Sequence, residues 1–295
     1  MWFWVVVVSG FLSSIRQLLN RLLLKDKGDS LAFAFFYQAV GAFLILPFLF
    51  FGLKLPETFL PYFLLIIVII LDTLCIYLIM ESYKHLEISL RTIIYQLRVF
   101  WVLVLSVLIL GDSLSFGKIL GISLVFGGIS LAVFEKRRIS RIQSIVARIL
   151  GRKDLRARGM GVTLLASLLT SLELIAIKSS LKEFSIPFFM FVVFGSSAII
   201  YLVRSPDLKK RTLVLLKSSQ AGLAWMIGIL GTISAFLSLW GISLVEVSKA
   251  SPIFQSFAIL TILGGIIFLK EKERVWAKIL GGLLVVAGVV LVKGS

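Results

Sequence analysis

Two sets of polar side chains recur at helical spacing inside long apolar stretches. They are Ser9, Ser13, Arg16 and Asn20 in the first set and Glu87, Arg91, Tyr95 and Arg98 in the second. Steps of three and four residues place each set on one face of a helix. An ionised side chain at the centre of a membrane helix costs about 2.5–3.5 kcal/mol on insertion scales, so such residues face a cavity or a partner. We therefore expect both sets to line a central cavity.

Arginine outnumbers acidic residues in these sets, which favours a substrate with a negative group. Arg16, Arg91 and Arg98 each offer a planar fork of N–H donors that fits a carboxylate or a phosphate. Tyr95 adds a hydroxyl donor or a ring for stacking, and Asn20 adds an amide. The combination predicts a binding site for a small anionic or zwitterionic molecule.

Further candidate binding residues have weaker signals. Ser251 and Gln255 form a milder polar set in a later apolar segment, and they are also predicted to bind substrate. The weaker candidates are a few single cationic or Trp residues: Lys178, Trp225, Trp240 and Lys249.

Two acidic residues lie within apolar segments and have a different expected role. Asp72 lies near the middle of its segment and Glu173 just past the middle of another. One interpretation is proton coupling, because a desolvated carboxyl can take up and release a proton. The other is a set of internal ion pairs, with Arg16 or Arg98 as partner, that only hold the helices together.

The composition requires an integral membrane protein. Hydrophobic residues make up 59% of the 295 residues, and the mean hydropathy is +1.05. A helix needs about 20 apolar residues to cross a bilayer, and ten segments meet this requirement or nearly do. They lie at about 2–24, 31–53, 58–80, 87–110, 115–135, 159–181, 186–204, 220–240, 247–269 and 275–293.

Several functional classes lack the residues that they need. A single Cys75 gives no disulfide framework, and a single His85 gives no His-rich metal site and little basis for His catalysis. The sequence has no G-x-x-x-x-G-K-[ST] motif for ATP. We expect no cofactor and no enzymatic activity.

The two halves of the chain repeat one another. Polar residues recur in register: Glu87 matches Glu246, and Lys118 matches Lys278. Each half has five predicted helices, and an odd number forces the halves to enter the membrane from opposite sides. The expected fold is all-α, with ten transmembrane helices as two inverted five-helix repeats. The predicted units are residues 1–135, a connecting loop at 136–158 and residues 159–295.

Basic residues predict the orientation of the chain. The net charge is +16, but most of the 31 Lys and Arg residues lie in loops on one side of the predicted helices, which is a mark of membrane topology rather than of nucleic-acid binding. The bias places both termini outside and the 136–158 loop in the cytoplasm. Ile and Arg residues at helical spacing in that loop predict either an amphipathic helix on anionic lipid or a plain linker.

The paired motifs resemble those of the drug/metabolite transporter superfamily, and within it the EamA-like ten-helix proteins. The similar pieces of the first half are 110–114, Gly121 and Gly127-Gly128, and those of the second half are 251–253, 269–272, Gly281 and Gly288. The resemblance implies alternating-access transport of a small metabolite. The chain departs from the family pattern at Ile93, where a Pro is usual, and its 95–98 segment resembles nucleotide-sugar and sugar-phosphate carriers. Ten-helix relatives are also commonly drawn with both termini inside.

We therefore expect a secondary active transporter in the cell (inner or plasma) membrane, acting as an exporter or exchanger. The alternatives are a nucleotide-sugar or sugar-phosphate antiporter of the same superfamily and a non-transport membrane scaffold. Small residues spaced four apart, Gly117 with Gly121 and Ala277 with Gly281, allow close helix packing, either within one chain or between two copies. A monomer and a homodimer are both compatible with this pattern.

Overall fold

The computed structural model describes residues 2–25, 28–50, 55–110, 115–133, 155–181, 183–244, 253–254 and 256–294. Every regular element within these ranges is helical. The helices are α1 (Trp2–Leu24), α2 (Ser30–Ile45), α3 (Phe59–His85), α4 (Ile88–Tyr95), α5 (Arg98–Leu110), α6 (Phe116–Val133), α7 (Leu155–Ser180), α8 (Ile186–Arg204), α9 (Leu208–Lys217), α10 (Ala221–Leu244), α11 (Ala258–Phe268) and α12 (Val275–Gly294). A 3₁₀ segment, Leu46–Phe50, follows α2. The predicted all-α class is confirmed.

The described helices fit a membrane environment. Six of them are long and apolar enough to cross a bilayer, and shorter apolar stretches lie in α6, α11 and α12. Large apolar side chains point outward, with Phe43 at 68%, Phe116 at 81% and Phe268 at 77% exposure. Exposed apolar surface on this scale is stable only against lipid or a protein partner. The chain is therefore a multi-pass membrane protein.

The fourth predicted segment is not one continuous helix. The expected helix over 87–110 is broken into α4 and α5, with Gln96 and Leu97 in a turn between them. The backbone N–H groups of Gln96 and Leu97 bond to carbonyls three residues back, at 3.3 and 3.1 Å. No Pro or Gly marks the break in the sequence. It is stabilised by tertiary contact, because the Ser171 hydroxyl on α7 donates to the Arg98 carbonyl at 2.9 Å.

Helices from the first half pack against helices from the second half. The most extensive contacts join α6 to α12, α3 to α7, α1 to α10 and α2 to α8. In the α1–α10 and α6–α12 pairs the contacts run in opposite chain order. For α1 and α10, Ser9 bonds to Ser238 while Val6 lies against Gly241. The core is therefore built between the two halves rather than inside each half.

One end of the bundle is defined by the ends of α1, α3 and α11 and the beginnings of α4 and α12. We call it the basic end. Arg21 at the end of α1 donates to the carbonyl of Tyr83 at 2.5 Å, near the end of α3. Gly159 in α7 lies against His85, so α7 also begins at this end.

Glycines bring α6 and α12 into close backbone contact. A Cβ on Gly128 would lie 2.4 Å from the Gly281 carbonyl oxygen, and one on Gly288 would lie 2.4 Å from the Gly121 carbonyl oxygen. Gly121 and Gly281, both singled out in the sequence, thus pack within one chain.

Replacing Gly128 with Ala is expected to destabilise the fold by about 1–3 kcal/mol, because the new methyl group meets backbone that cannot rotate away. Gly127 is a matched control, since a Cβ there has nothing within 4 Å. Detergent-solubilised protein should show a lower Tm for Gly128→Ala than for Gly127→Ala. Equal Tm values for the two variants would contradict this packing.

An ion pair fastens the short helix α9 to the beginning of α2. Asp29 accepts two bonds from Arg211, at 2.6 and 2.5 Å, and caps α2 through the Ala32 N–H at 3.1 Å. Partial burial raises the pKa of Asp29, but the bonds from Arg211 and Ala32 outweigh burial, and its pKa lies below the usual 3.8. The ionised form is therefore the one that the fold stabilises.

Asp29→Asn is expected to cost about 1 kcal/mol at neutral pH, since the pair is partly exposed. A lowered pKa gives stability that is present above the unfolded-state pKa of about 3.9 and is lost as pH falls through the folded-state value. The Tm difference from wild type should therefore shrink below about pH 4. Asp207→Asn, at an exposed N-cap without a side-chain cap bond, is the control. A Tm difference between Asp29→Asn and wild type that does not change with pH would show that ionised Asp29 is not the stabilising form.

Candidate functional site

A cavity of about 290 Å³ lies between the two halves of the chain. Its walls come from α1, α3, α4, α5, α7, α10 and α11, together with residues 96, 254 and 257. The polar side chains in the wall are Ser13, Ser14, Gln17, Tyr83, Arg91, Thr92, Tyr95, Gln96, Arg98 and Ser238. Three of the four residues of the predicted second set, Arg91, Tyr95 and Arg98, are therefore brought together at one cavity.

Arg91 is held between two aromatic rings. Its guanidinium carbon lies 4.0 Å from the Tyr83 ring centroid and 4.9 Å from that of Tyr95. Nε donates to the Ser82 hydroxyl at 2.8 Å, and a terminal nitrogen donates to Gln17 at 3.3 Å. The side chain is 2% exposed. All of these partners are neutral, so the buried charge is oriented by its surroundings without being neutralised by them.

Tyr95 and Arg98 lie on either side of the helix break. The Tyr95 hydroxyl bonds to that of Thr170 on α7 at 3.0 Å. The Arg98 guanidinium carbon lies 5.3 Å from the Tyr95 ring centroid. Arg98 is the first residue of α5, so the N-terminus of this helix lies at the cavity wall. The positive end of the α5 dipole is therefore at the cavity.

Three buried polar atoms of the wall have no hydrogen-bond partner among the described residues. They are the Thr92 hydroxyl oxygen, Gln96 Oε1 and Arg98 Nε. Buried polar groups without partners are rare in folded proteins because each costs about 1–3 kcal/mol. Their position in the cavity wall is what a ligand site requires.

The first predicted polar set does not form one wall of the cavity. Ser13 lines it, but Ser9 bonds instead to the Ser234 carbonyl at 2.8 Å. Arg16 turns toward α2 and donates to the Tyr37 hydroxyl at 3.2 Å. Asn20 is fully buried, and its amide has no partner among the described residues. The set follows one helix face, but that face is divided among several neighbouring helices.

Asp72 and Glu173 lie away from the cavity wall. Asp72 is buried and accepts hydrogen bonds from the Gln38 amide and, at 2.9 Å, from the Ser197 hydroxyl. Glu173 lies beside the Cys75 thiol and close enough to Asp72 for two ionised carboxylates to repel each other. In the part of the chain that the structure describes, neither acid forms an ion pair with Arg16 or Arg98.

The weaker candidates are not brought to the cavity. Trp225 is 43% exposed and packs edge-on against Phe36 at 5.1 Å, and Trp240 packs against Phe236 at 6.3 Å. Neither lines the cavity. Lys249, Ser251, Gln255 and the side chain of Lys178 lie outside the described residues. Residues 136–154 of the loop predicted at 136–158 also lie outside the described residues. Residues 155–158 belong to α7, so the predicted end of the loop was wrong there.

A network of ionic contacts fixes the beginning of α4 at the basic end. Glu271, in the α11–α12 connection, accepts from the backbone N–H groups of Ile88 at 2.5 Å and Ser89 at 3.0 Å, and from the Ser89 hydroxyl. Glu87 pairs with Lys278 of α12 at 2.5 Å. We call these four side chains (Glu87, Ser89, Glu271 and Lys278) the α4 latch. It lies at the basic end, one helical turn from Arg91.

Several of these residues were not predicted as site residues. Gln17 lies next to Arg16 but outside the polar set, and nothing in the sequence marks Tyr83. Gln96 and Lys278 recur in both halves, and that repeat was the available signal. Within the described residues, no group of three or more His, Cys, Asp or Glu side chains could hold a metal ion.

Comparison with known proteins places this architecture in a family. A crystal structure of a protein 14% identical to this chain superposes with a TM-score of 0.62, covering 97% of this chain and 95% of that one, which shows a shared fold. A search of curated protein sequences finds no match. The model of the EamA-like transporter family matches residues 1–134 and 157–294. The chain therefore belongs to the EamA-like transporters, a family of the drug/metabolite transporter superfamily.

Proposed function

We propose that this chain is a secondary active transporter that moves a small metabolite through the described cavity by alternating access. It acts as an exporter or exchanger in the cell membrane. The observation that carries this proposal is the cavity itself, which lies between the halves of the chain, with the α4 latch one helical turn from Arg91 on the side of the basic end. A site reached from one side of the membrane at a time is what alternating access requires.

The proposed architecture is two inverted five-helix repeats, residues 1–135 and 159–295, with α4 and α5 as two parts of one span. The glycine contacts support it. Gly121 is the repeat equivalent of Gly281, and Gly128 that of Gly288. Gly128 meets Gly281 and Gly288 meets Gly121, so exchanging the two halves turns one contact into the other, as a two-fold relation requires. Two rigid halves related in this way can rock about the cavity.

The proposed orientation places the basic end in the cytoplasm and both termini outside. The concentration of Lys and Arg in the loops at that end supports this orientation. We infer that the α4 latch closes the cavity toward the cytoplasm in this conformation.

Accessibility of an introduced cysteine tests alternating access without knowledge of the substrate. Cys75 is the only cysteine and is buried, so Cys75→Ala provides a background without thiols. In that background, Ser13→Cys places a thiol in the cavity wall, and Ala34→Cys places one in the closed core, where Ala34 is fully buried. Membrane-impermeant thiol reagents are applied to vesicles of both orientations.

Ser13→Cys should react from both sides, while Ala34→Cys should react from neither. Reaction of Ser13→Cys from one side alone would contradict alternating access through this cavity. Reaction of neither variant would remove the cavity as the transport site.

Asp72 and Glu173 form the proposed coupling pair. They lie on α3 and α7, which pack together, and a desolvated carboxyl can take up and release a proton. Once a transported substrate is in hand, the Asp72→Asn, Glu173→Gln double variant is expected to transport at a rate that no longer depends on pH. Retention of the wild-type pH dependence in that variant would contradict the assignment. Glu183→Gln, which neutralises a different acidic residue, is the control and should keep the wild-type pH dependence.

A further inference from the structure

We propose that the cavity binds a small organic anion, with its carboxylate or phosphate at Arg91 and Arg98 and a hydroxyl of the same molecule at Thr92 and Gln96. This substrate class rests on the proposed transport function, since it names what the same cavity holds. The sequence predicts an anionic or a zwitterionic substrate, and this proposal selects the anionic one.

The first argument is the uncompensated positive charge of the cavity. Arg91 and Arg98 both line it, and none of the described lining residues is acidic. Three described carboxylates near the ends of α3 and α4 are engaged elsewhere: Glu87 with Lys278, Glu271 with the α4 N-terminus, and Glu81 with His85 and Arg158. Asp72 and Glu173 do not line the cavity, and neither forms an ion pair with Arg91 or Arg98 among the described residues. Two arginines in a water-poor site without a counter-ion are costly unless a ligand supplies one.

The second argument is the orientation of the charges. Arg91 is fixed by two rings and two hydrogen bonds, so little conformational entropy is lost when it binds an oxyanion. Arg98 Nε is buried and has no partner among the described residues. The N-terminus of the 13-residue α5 begins at the same point. Half-helix N-termini at breaks in membrane helices point at anionic substrate groups in other transporters.

The third argument concerns the remainder of the ligand. Gln96 Oε1 can only accept a hydrogen bond, and the Thr92 hydroxyl can accept or donate one. Both side chains are at least nine-tenths buried and have an atom without a described partner. A hydroxyl satisfies both of them. An ammonium group would also donate, but it would lie beside two arginines with no described carboxylate to receive it.

The size of the cavity limits the molecule. A volume of about 290 Å³ is at the lower end of the range for small-molecule sites, about 300–1,000 Å³. It suits a compact acid or phosphate ester in this conformation.

A matched series of three-carbon compounds tests the charge directly. Glycerate is the anion, serine the zwitterion, glycerol the neutral compound and serinol the cation, and glycerol 3-phosphate replaces the carboxylate by a phosphate. Each is added at millimolar concentration and constant ionic strength to the purified full-length protein, and Tm is recorded. A ligand that binds only the folded state raises Tm by mass action.

Glycerate, glycerol 3-phosphate or both should raise Tm, while glycerol, serine and serinol should not. The relative effect of glycerate and glycerol 3-phosphate identifies the anionic group. Arg98→Gln should weaken the anion's affinity by about tenfold or more, because a charge-assisted bond is lost. Arg204→Gln, the same substitution at the exposed end of α8, should leave it unchanged.

Three results would overturn the proposal. They are a stronger effect of serine or serinol, an effect of the anions that is equal in Arg98→Gln and wild type, and no effect of either anion. Two-sided labelling of Ser13→Cys together with any of these results would leave the transport function standing and remove only the substrate class. Loss of two-sided labelling would instead remove the transport function.

Discussion

Glu87→Gln is expected to lower the free energy of unfolding by about 3–5 kcal/mol, because it leaves the buried Lys278 without its counter-ion. The Lys278 side chain is 2% exposed and that of Glu87 is 26% exposed, and their charged groups lie 2.5 Å apart. The two partners are therefore not equivalent. An unpaired Glu87 can still reach water, whereas an unpaired Lys278 cannot.

Lys278→Met should consequently cost less than Glu87→Gln, and the double variant should be close to Lys278→Met in stability. Unfolding by denaturant titration in detergent, followed by the fluorescence of the six Trp residues, measures all three. The double-mutant cycle isolates the pairwise energy. Strict additivity of the two single substitutions would show that the ion pair contributes nothing.

Glu271→Ala is expected to open the basic end of the transporter. The substitution removes three hydrogen bonds from a carboxylate to the beginning of α4, and bonds to charged groups contribute about 1.5–3 kcal/mol each. Loss of about 3 kcal/mol or more from the closed state shifts a two-state equilibrium roughly a hundredfold. α4 carries Arg91 and Tyr95, so its release also disturbs the cavity wall.

Reactivity of Ser13→Cys from the basic side measures this shift. It should rise in the Glu271→Ala background, and Ser89→Ala, which removes one of the three bonds, should raise it less. Glu273→Ala is the matched control, because the Glu273 side chain is 67% exposed and reaches Arg156 only at 3.5 Å. An unchanged reaction rate in Glu271→Ala protein that retains its fold would show that the latch does not control access.

The position of the helix break illustrates what periodicity does not reveal. Residues 87–110 are a continuous apolar pattern with helical spacing, and neither Pro nor Gly interrupts it. A break at Gln96 and Leu97 costs backbone hydrogen bonds within α4 and α5. Contacts with α7, which is distant in sequence, offset that cost: Tyr95 with Thr170, and the Arg98 carbonyl with Ser171. The sequence around the break does not indicate that Thr170 and Ser171 will contact it.

The two polar sets also show that helical spacing does not reveal which neighbouring helix a side chain contacts. Spacing placed Ser9, Ser13, Arg16 and Asn20 on one helix face, but a face about 100° wide touches more than one neighbour. Arg16 meets Tyr37 of α2, whereas Ser9 meets α10. Three residues of the second set, Arg91, Tyr95 and Arg98, share the cavity because they follow the inner side of α4 and the helix break.

The sequence by itself determined the membrane class and the all-helical fold, and the resemblance of its paired motifs indicated the family. The membrane class and the helical fold follow from hydropathy and from the cost of charge in a bilayer, which are properties of short stretches of sequence. Only the tertiary structure decided which polar side chains share a cavity and which merely join helices. Glu271 and Ile88 are far apart along the chain, and their contact depends on how the two halves pack. The uncompensated charge at Arg91 and Arg98 likewise became visible only in the folded chain, where the described cavity lining holds no acidic residue and Glu87 and Glu271 bind other partners.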